Sequence, residues 1–143
     1  MFSRTLLTLV ALLGLASCNG AFRKHWKAAV NQPNQPGSIT GAWKGTWRSE
    51  FNGHTGQLRC VIPEGSLSQR KFHYHATWAK VFSGSMKAVH HLRPAPEGTG
   101  FSVRHNLGTF GDFFAEGTIT DQKFSARYQA AGDRGVFELK RPR

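Results

Sequence analysis

The sequence predicts an all-β fold. About eight antiparallel strands in up-and-down order curl into a closed barrel, preceded by a signal peptide and a flexible tether. Three observations point there. From Gly41 onward, apolar residues recur at every second position, the period of a strand with one buried face. Turn signals cut that pattern into eight short runs. A meander has two open edges unless it closes, and closure at about eight strands gives an interior that side chains just fill or that holds one small ligand. A two-sheet sandwich shares the alternation and is the runner-up. The 143 residues are 39% hydrophobic and 12% aromatic, which suits one folded domain and argues against disorder.

Residues 1–17 read as a signal peptide. Arg4 is their one charged residue, and Leu6 to Leu15 is almost wholly apolar. As a helix that run spans roughly 15 Å, too short for a hydrocarbon core of about 30 Å. It ends in Leu15-Ala16-Ser17-Cys18, an apolar residue, two small ones and a cysteine. This resembles the lipobox of bacterial lipoproteins. The resemblance implies cleavage before Cys18, acylation of its thiol, and a protein held on a membrane by two or three acyl chains. Asn19 leaves the sorting between membranes open.

Residues 18–38 read as a lipidated N-terminus and linker. Phe22 and Trp26 would share one face if Ala21–Val30 were helical, with Arg23, Lys24 and Lys27 near anionic headgroups. A solvated linker is the preferred reading. Asn31-Gln32-Pro33-Asn34-Gln35-Pro36-Gly37-Ser38 has no core-forming residue and reads as a spacer.

Residues 39–143 form the barrel domain. The inward positions begin with Trp43, Gly45 and Trp47, then Leu58, Cys60 and Ile62, then Phe72, Tyr74, Ala76 and Trp78. Met86, Ala88, His90 and Leu92 follow, then Phe101, Val103, His105 and Leu107. Phe113, Ala115, Gly117 and Ile119 come next, then Phe124, Ala126, Tyr128 and Ala130, with Phe137 and Leu139 last. Asn52-Gly53, Pro63-Glu64-Gly65, Ser83-Gly84, Pro94 to Gly98, Gly108 to Gly111, Asp121-Gln122 and Gly132 to Gly135 mark the turns.

The opening Gly41-Ala42-Trp43 resembles the Gly-x-Trp start of lipocalins and the wider calycin group, closed barrels that carry apolar ligands. The resemblance implies that Trp43 closes one barrel end and that a late arginine stacks on it, with Arg141 as the match and Lys140 a weaker one. The second lipocalin signature, Thr-Asp-Tyr, is missing, as is a long C-terminal helix, so a calycin-like shape is what carries over. A second segment, Trp43-x-Gly-Thr-Trp47-x-Ser followed by Asn52-Gly53-His54-x-Gly56-x-Leu58-Arg59-Cys60, is similar to one shared by uncharacterised bacterial secreted proteins. It supports the barrel and implies no activity.

Chemistry-bearing residues are sparse. Among seven histidines, His90 and His105 face inward on neighbouring strands, where they could meet across the sheet. His73 and His75 lie on the outward face and are expected to be exposed. Cys60 faces inward and is expected to be a protonated, unreactive thiol. Phosphate loops, nucleophile elbows and His-Glu-x-x-His are absent, and the eight acidic residues show no pair. Neither an enzyme nor a cofactor or metal is expected. Asn52 and His54 stand in a loop expected at the barrel mouth. The net charge of +11 needs an anionic partner. Export argues against nucleic acid and for an anionic envelope surface.

The first functional reading is a small apolar or amphipathic ligand in the barrel, met by Trp43, Trp47, Tyr74, Trp78, His90, His105 and Tyr128, with Phe72, Phe101, Phe113 and Phe124 also lining the cavity. The second is a filled barrel whose basic surface docks on envelope components. An open or a packed lumen decides between them.

Overall fold

The computed structural model describes residues 20–78, 82–108, 111–130 and 132–142, and of Trp78 and Phe82 the backbone alone. The signal peptide and Cys18 therefore lie outside the described residues. One helix, α1 (residues 20–30), precedes eight strands. These are β1 (Gly41–Ser49), β2 (Thr55–Ile62), β3 (Gln69–Trp78), β4 (Phe82–Ala95), β5 (Gly98–Asn106), β6 (Asp112–Ile119), β7 (Lys123–Ala130) and β8 (Asp133–Lys140). Each pairs antiparallel with the next, and β1 pairs with β8 from Lys44 opposite Lys140 to Ser49 opposite Gly135. The sheet is a closed barrel, not a sandwich. At the β1–β2 hairpin Gly53 takes a φ of 74°, which favours glycine.

The lower half of the barrel is solid. Trp43, Phe72, Phe101 and Phe124 are fully buried there and meet edge-on or tilted, with ring centroids 5.2 to 6.2 Å apart. Trp43 plugs this end. Its indole N–H donates to the Ile39 carbonyl at 3.0 Å, and the Arg141 guanidinium lies 3.9 Å over its ring. Arg141 also donates to the carbonyls of Thr40 at 2.9 Å and Ser38 at 2.8 Å. That is the plug and stacked arginine that the calycin resemblance implied.

The segment preceding the barrel departs from expectation. Residues 20–30 are a helix packed on the outside of β2 and β3, not a solvated linker. Phe22 is 0% exposed. Its ring stacks on His75 at 5.1 Å and meets the edge of His73 at 4.9 Å. The Arg59 guanidinium lies 5.2 Å from both the Phe22 and the Trp26 rings. His73 and His75, expected at an exposed face, are 4% and 8% exposed because the helix covers them. Further along, the Gly37 N–H donates to Asp121 at 2.8 Å, so the spacer too is pinned to the barrel.

Phe22 meets both His75 and His73, Trp26 meets Arg59 and His25 reaches His73, so the helix covers two levels of the sheet. The Asn34 side chain, four residues past α1, lies beside Gly41, so the chain leaves the helix toward the plugged end.

The helix seat is sensitive to acid. His25 and His73 approach at 3.1 Å between Nδ1 atoms, so one must be neutral to accept. Arg59 donates to His75 Nδ1 at 3.3 Å, which also requires a neutral ring. Burial lowers all three imidazoles, His73 to about 4, and the charges acting on them (Lys87, Arg59, Arg23) are positive. The docked state thus binds fewer protons than the undocked one, whose histidines titrate near 6.5. Docking should be complete above pH ~6.5 and weaken as pH falls toward about 4. Amide exchange of residues 20–30 at pH 7.5 and pH 4.5 checks this: protection should drop at the lower pH while the barrel strands keep theirs.

Candidate functional site

The upper half of the barrel is open. Along several strands the inward side chains become small toward this end: Phe72 and Tyr74 give way to Ala76 on β3, Ala88 and Met86 to Gly84 on β4, and Tyr128 to Ala130 on β7. The shrinkage leaves a cavity of about 640 Å³, within the usual range for small-molecule sites. Its wall is mostly carbon: Trp47, Leu58, Tyr74, Ala76, Met86, Leu107, Phe113, Tyr128, Ala130 and Phe137, with Gly84, Ser85 and Asp133.

Trp47 is fixed as one side of the mouth, since its indole N–H donates to the Thr77 carbonyl at 3.0 Å. Gly56, its partner across β1 and β2, is required there, because a Cβ would collide with the Thr77 carbonyl and the Trp47 indole. Asp133 is the one charged residue in the described lining. Its carboxylate accepts from the Ser49 hydroxyl at 2.6 Å, the Tyr128 hydroxyl at 3.1 Å and the Arg134 N–H at 2.8 Å. These bonds tie β1, β7 and β8 together at the rim. Burial and the neighbouring Asp133 carboxylate push the Tyr128 hydroxyl up, so it stays protonated and donates.

A buried polar chain lies under the cavity floor. His90 stacks on Phe72 at 3.8 Å, its Nδ1–H donates to the Ala88 carbonyl at 2.9 Å, and its Nε2 accepts from the Tyr74 hydroxyl at 2.6 Å. Burial lowers His90 to about 4 and raises the Cys60 thiol and the Tyr74 phenol well above their ordinary values. Cys60 stands opposite Tyr74 in the β2–β3 register. At pH 7 all three groups are neutral, and the bond to His90 anchors Tyr74.

Of the residues expected to meet a ligand, Trp47, Tyr74, Phe113 and Tyr128 line the cavity together. Trp43 does not reach it, because it forms the plug at the other end, and Phe72, Phe101 and Phe124 are packed with it in the solid half. His90 lies beneath the floor, bonded to Tyr74. His105 is half-buried opposite Phe113 and is not part of the wall, and His90 pairs with Val103, so the two histidines do not meet. The Trp78 side chain lies outside the described residues. Asn52 and His54 stand at the mouth-end hairpin, exposed, with the Asn52 side chain accepting the His54 N–H at 2.9 Å. Leu58, Ala76, Met86, Leu107, Ala130 and Phe137 also line it, and the alternation alone places them inward without giving them a role. Asp133 was read only as a turn residue. The usable signal was the fall in side-chain size at one end of successive strands.

Among the described residues, no group of three His, Cys, Asp or Glu side chains is placed to hold a metal ion. No helix among them is long and apolar enough to cross a membrane. The fold and site together define a closed β-barrel plugged at one end and open to an apolar cavity at the other. Comparison with known families, curated proteins and solved structures gives no match to the chain.

Replacing Tyr74 by Phe strips the His90 Nε2 of its donor inside the core. The loss should be about 1–3 kcal/mol of unfolding free energy. Urea unfolding of the variant reads it, and an unchanged midpoint would mean that this bond contributes nothing.

Proposed function

We propose that the protein is a lipid-anchored component of the bacterial cell envelope whose barrel binds a small apolar or amphipathic molecule. The observation that carries the reading is the half-filled lumen. A barrel evolved only as a solid scaffold has no need of a cavity of about 640 Å³ walled by Trp47, Tyr74, Phe113, Tyr128 and Phe137. Exposed apolar concavities of this kind lose free energy in water unless something fills them. The neutral state of Cys60, Tyr74 and His90 supports binding rather than catalysis.

The membrane anchor rests on the lipobox-like Leu15-Ala16-Ser17-Cys18. The course of α1 fits it. Cys18 precedes the described helix by two residues, and the chain leaves the other end of the helix toward the plugged end. Acyl chains on Cys18 would then hold the mouth close to the bilayer, so a lipid-like ligand has a short path between the two.

A second reading, docking on an anionic envelope surface, has one observation of its own. Lys44, Lys140 and Lys123 stand in register across β1, β8 and β7, and among the described residues only Lys123 of these has an acidic partner, Glu138 at 3.5 Å. Such a row favours an anionic surface through charge alone. It is compatible with the first reading.

Two variants separate anchor from pocket. Cys18→Ser should move the chain from the membrane fraction to the soluble fraction of its host, with its fold intact by circular dichroism. Ala76→Trp should fill the cavity and abolish any small molecule that native mass spectrometry finds on the wild-type protein. A wild-type protein that carries and accepts no apolar molecule would leave the docking reading in possession.

A further inference from the structure

We infer that the ligand is an anionic amphiphile drawn from a bilayer, with its apolar chain in the open half of the lumen and its charged head over the rim on Arg104 and Arg134. This rests on the proposed binding role of the cavity and names its ligand class. The observation behind it is a second concavity, on the outside of the barrel at the same end.

That outer groove encloses about 700 Å³ between Phe51, Arg104, Phe114 and Arg134. It shares Ala130 and Asp133 with the inner cavity, so the two meet at the β7–β8 corner of the rim. A ligand that crosses the rim there would occupy both. Inside the rim the wall is carbon, which accepts an acyl chain. Outside it Arg104 on β5 and Arg134 on β8 flank the groove across the Phe114 and Gln129 pairings, and a guanidinium matches the oxygens of a phosphate or carboxylate.

The charges around the groove leave those two arginines available. Arg127, which stands nearby on β7, is committed to Glu50 at 3.0 Å. Among the described residues neither Arg104 nor Arg134 has an ion-pair partner. The two carboxylates in the groove are already engaged. Asp112 accepts from the Asn106 side chain at 3.1 Å. Asp133 accepts from Ser49, Tyr128 and the Arg134 backbone, so its charge is largely met from inside the rim. A neutral apolar ligand would need the inner cavity but would leave the arginine pair unused.

The source of the ligand follows from the same end of the molecule. Phe51, at the tip of the β1–β2 hairpin, is 73% exposed. An aromatic ring in water at the mouth, with arginines beside it, is the composition of a surface that rests on headgroups.

The test uses the full chain and three probes: 1-palmitoyl-lysophosphatidylglycerol, 1-palmitoyl-lysophosphatidylcholine and inorganic phosphate, each below micelle-forming concentration and followed by isothermal titration. The anionic lipid should bind at least about tenfold more tightly than the zwitterionic one, the weight of a charge-assisted contact at a partly solvated site. The double variant Arg104→Gln, Arg134→Gln changes only exposed side chains and should bring the two lipids to equal affinity, with lysophosphatidylcholine unaffected. Phosphate alone should bind far more weakly than the anionic lipid. Equal binding of both lipids, or a double variant without effect, overturns the assignment of the head to these arginines while the cavity reading stands. Phosphate binding as tight as the lipid overturns the part played by the lumen. If neither lipid binds, the cavity reading fails, and this inference fails with it.

Discussion

The pairing of β1 with β8 is the constraint on which the molecule depends. Once the sheet closes at eight strands, the lumen has a fixed width, and what happens inside is decided by side-chain volume alone. Where the inward residues are Trp43, Phe72, Phe101 and Phe124 the barrel is packed to its axis. Where they are Gly56, Ala76, Gly84 and Ala130 the same circumference leaves room. The choice between a hollow and a solid barrel is therefore answered along the axis. One half is each.

The solid half is what permits the open one. An apolar cavity in a small domain reduces packing and stability. Here the reduction is confined to one end, above a floor locked by the Tyr74–His90–Ala88 bonds and closed below by the Trp43–Arg141 stack. The rim has its own brace in the Ser49–Asp133–Tyr128 bonds. Cavity walls that are held at floor and rim keep their shape without a ligand, which lowers the ordering cost of binding one.

Strand number, order and facing were legible in the sequence because period two is a strong signal and most turns carry glycine, proline, asparagine or aspartate. Ser83-Gly84 was the exception: it reads as a turn but lies inside β4, where Gly84 pairs with Ala76 and widens the lumen, and the connection from β3 falls between Trp78 and Phe82 instead. The plug was legible through Gly41-Ala42-Trp43 and Arg141. The helix was not. Its residues form a short basic stretch whose propensity is modest, and its stability comes from burying Phe22 on a surface that exists only after β2 and β3 have paired. A trace of that surface was present in Val61, an apolar residue on the outward face that ends up 2% exposed. Asp133 escaped for a similar reason: Gly132-Asp133-Arg134-Gly135 reads fully as a turn, and nothing local shows that its carboxylate turns inward to Tyr128.

The misplacement of Trp43 and His90 among ligand-lining residues has a single cause. Alternation reports which face a side chain takes but not its height along the axis, and height is what separates plug, floor and wall. Register alone does not supply it, because barrel strands are tilted and a row of cross-strand partners climbs as it goes round. Phe101, Gly117, Ala126, Phe137 and Trp47 are successive partners in one row, yet Phe101 is packed in the core while Phe137 and Trp47 line the cavity. Leu139, fully buried, stands opposite Gly45 in the row that runs on to Leu58 and Ala76 of the cavity wall. Plug, floor and wall are therefore set by pairing and strand tilt together, and neither is contained in the identity of an aromatic residue or in a single hairpin.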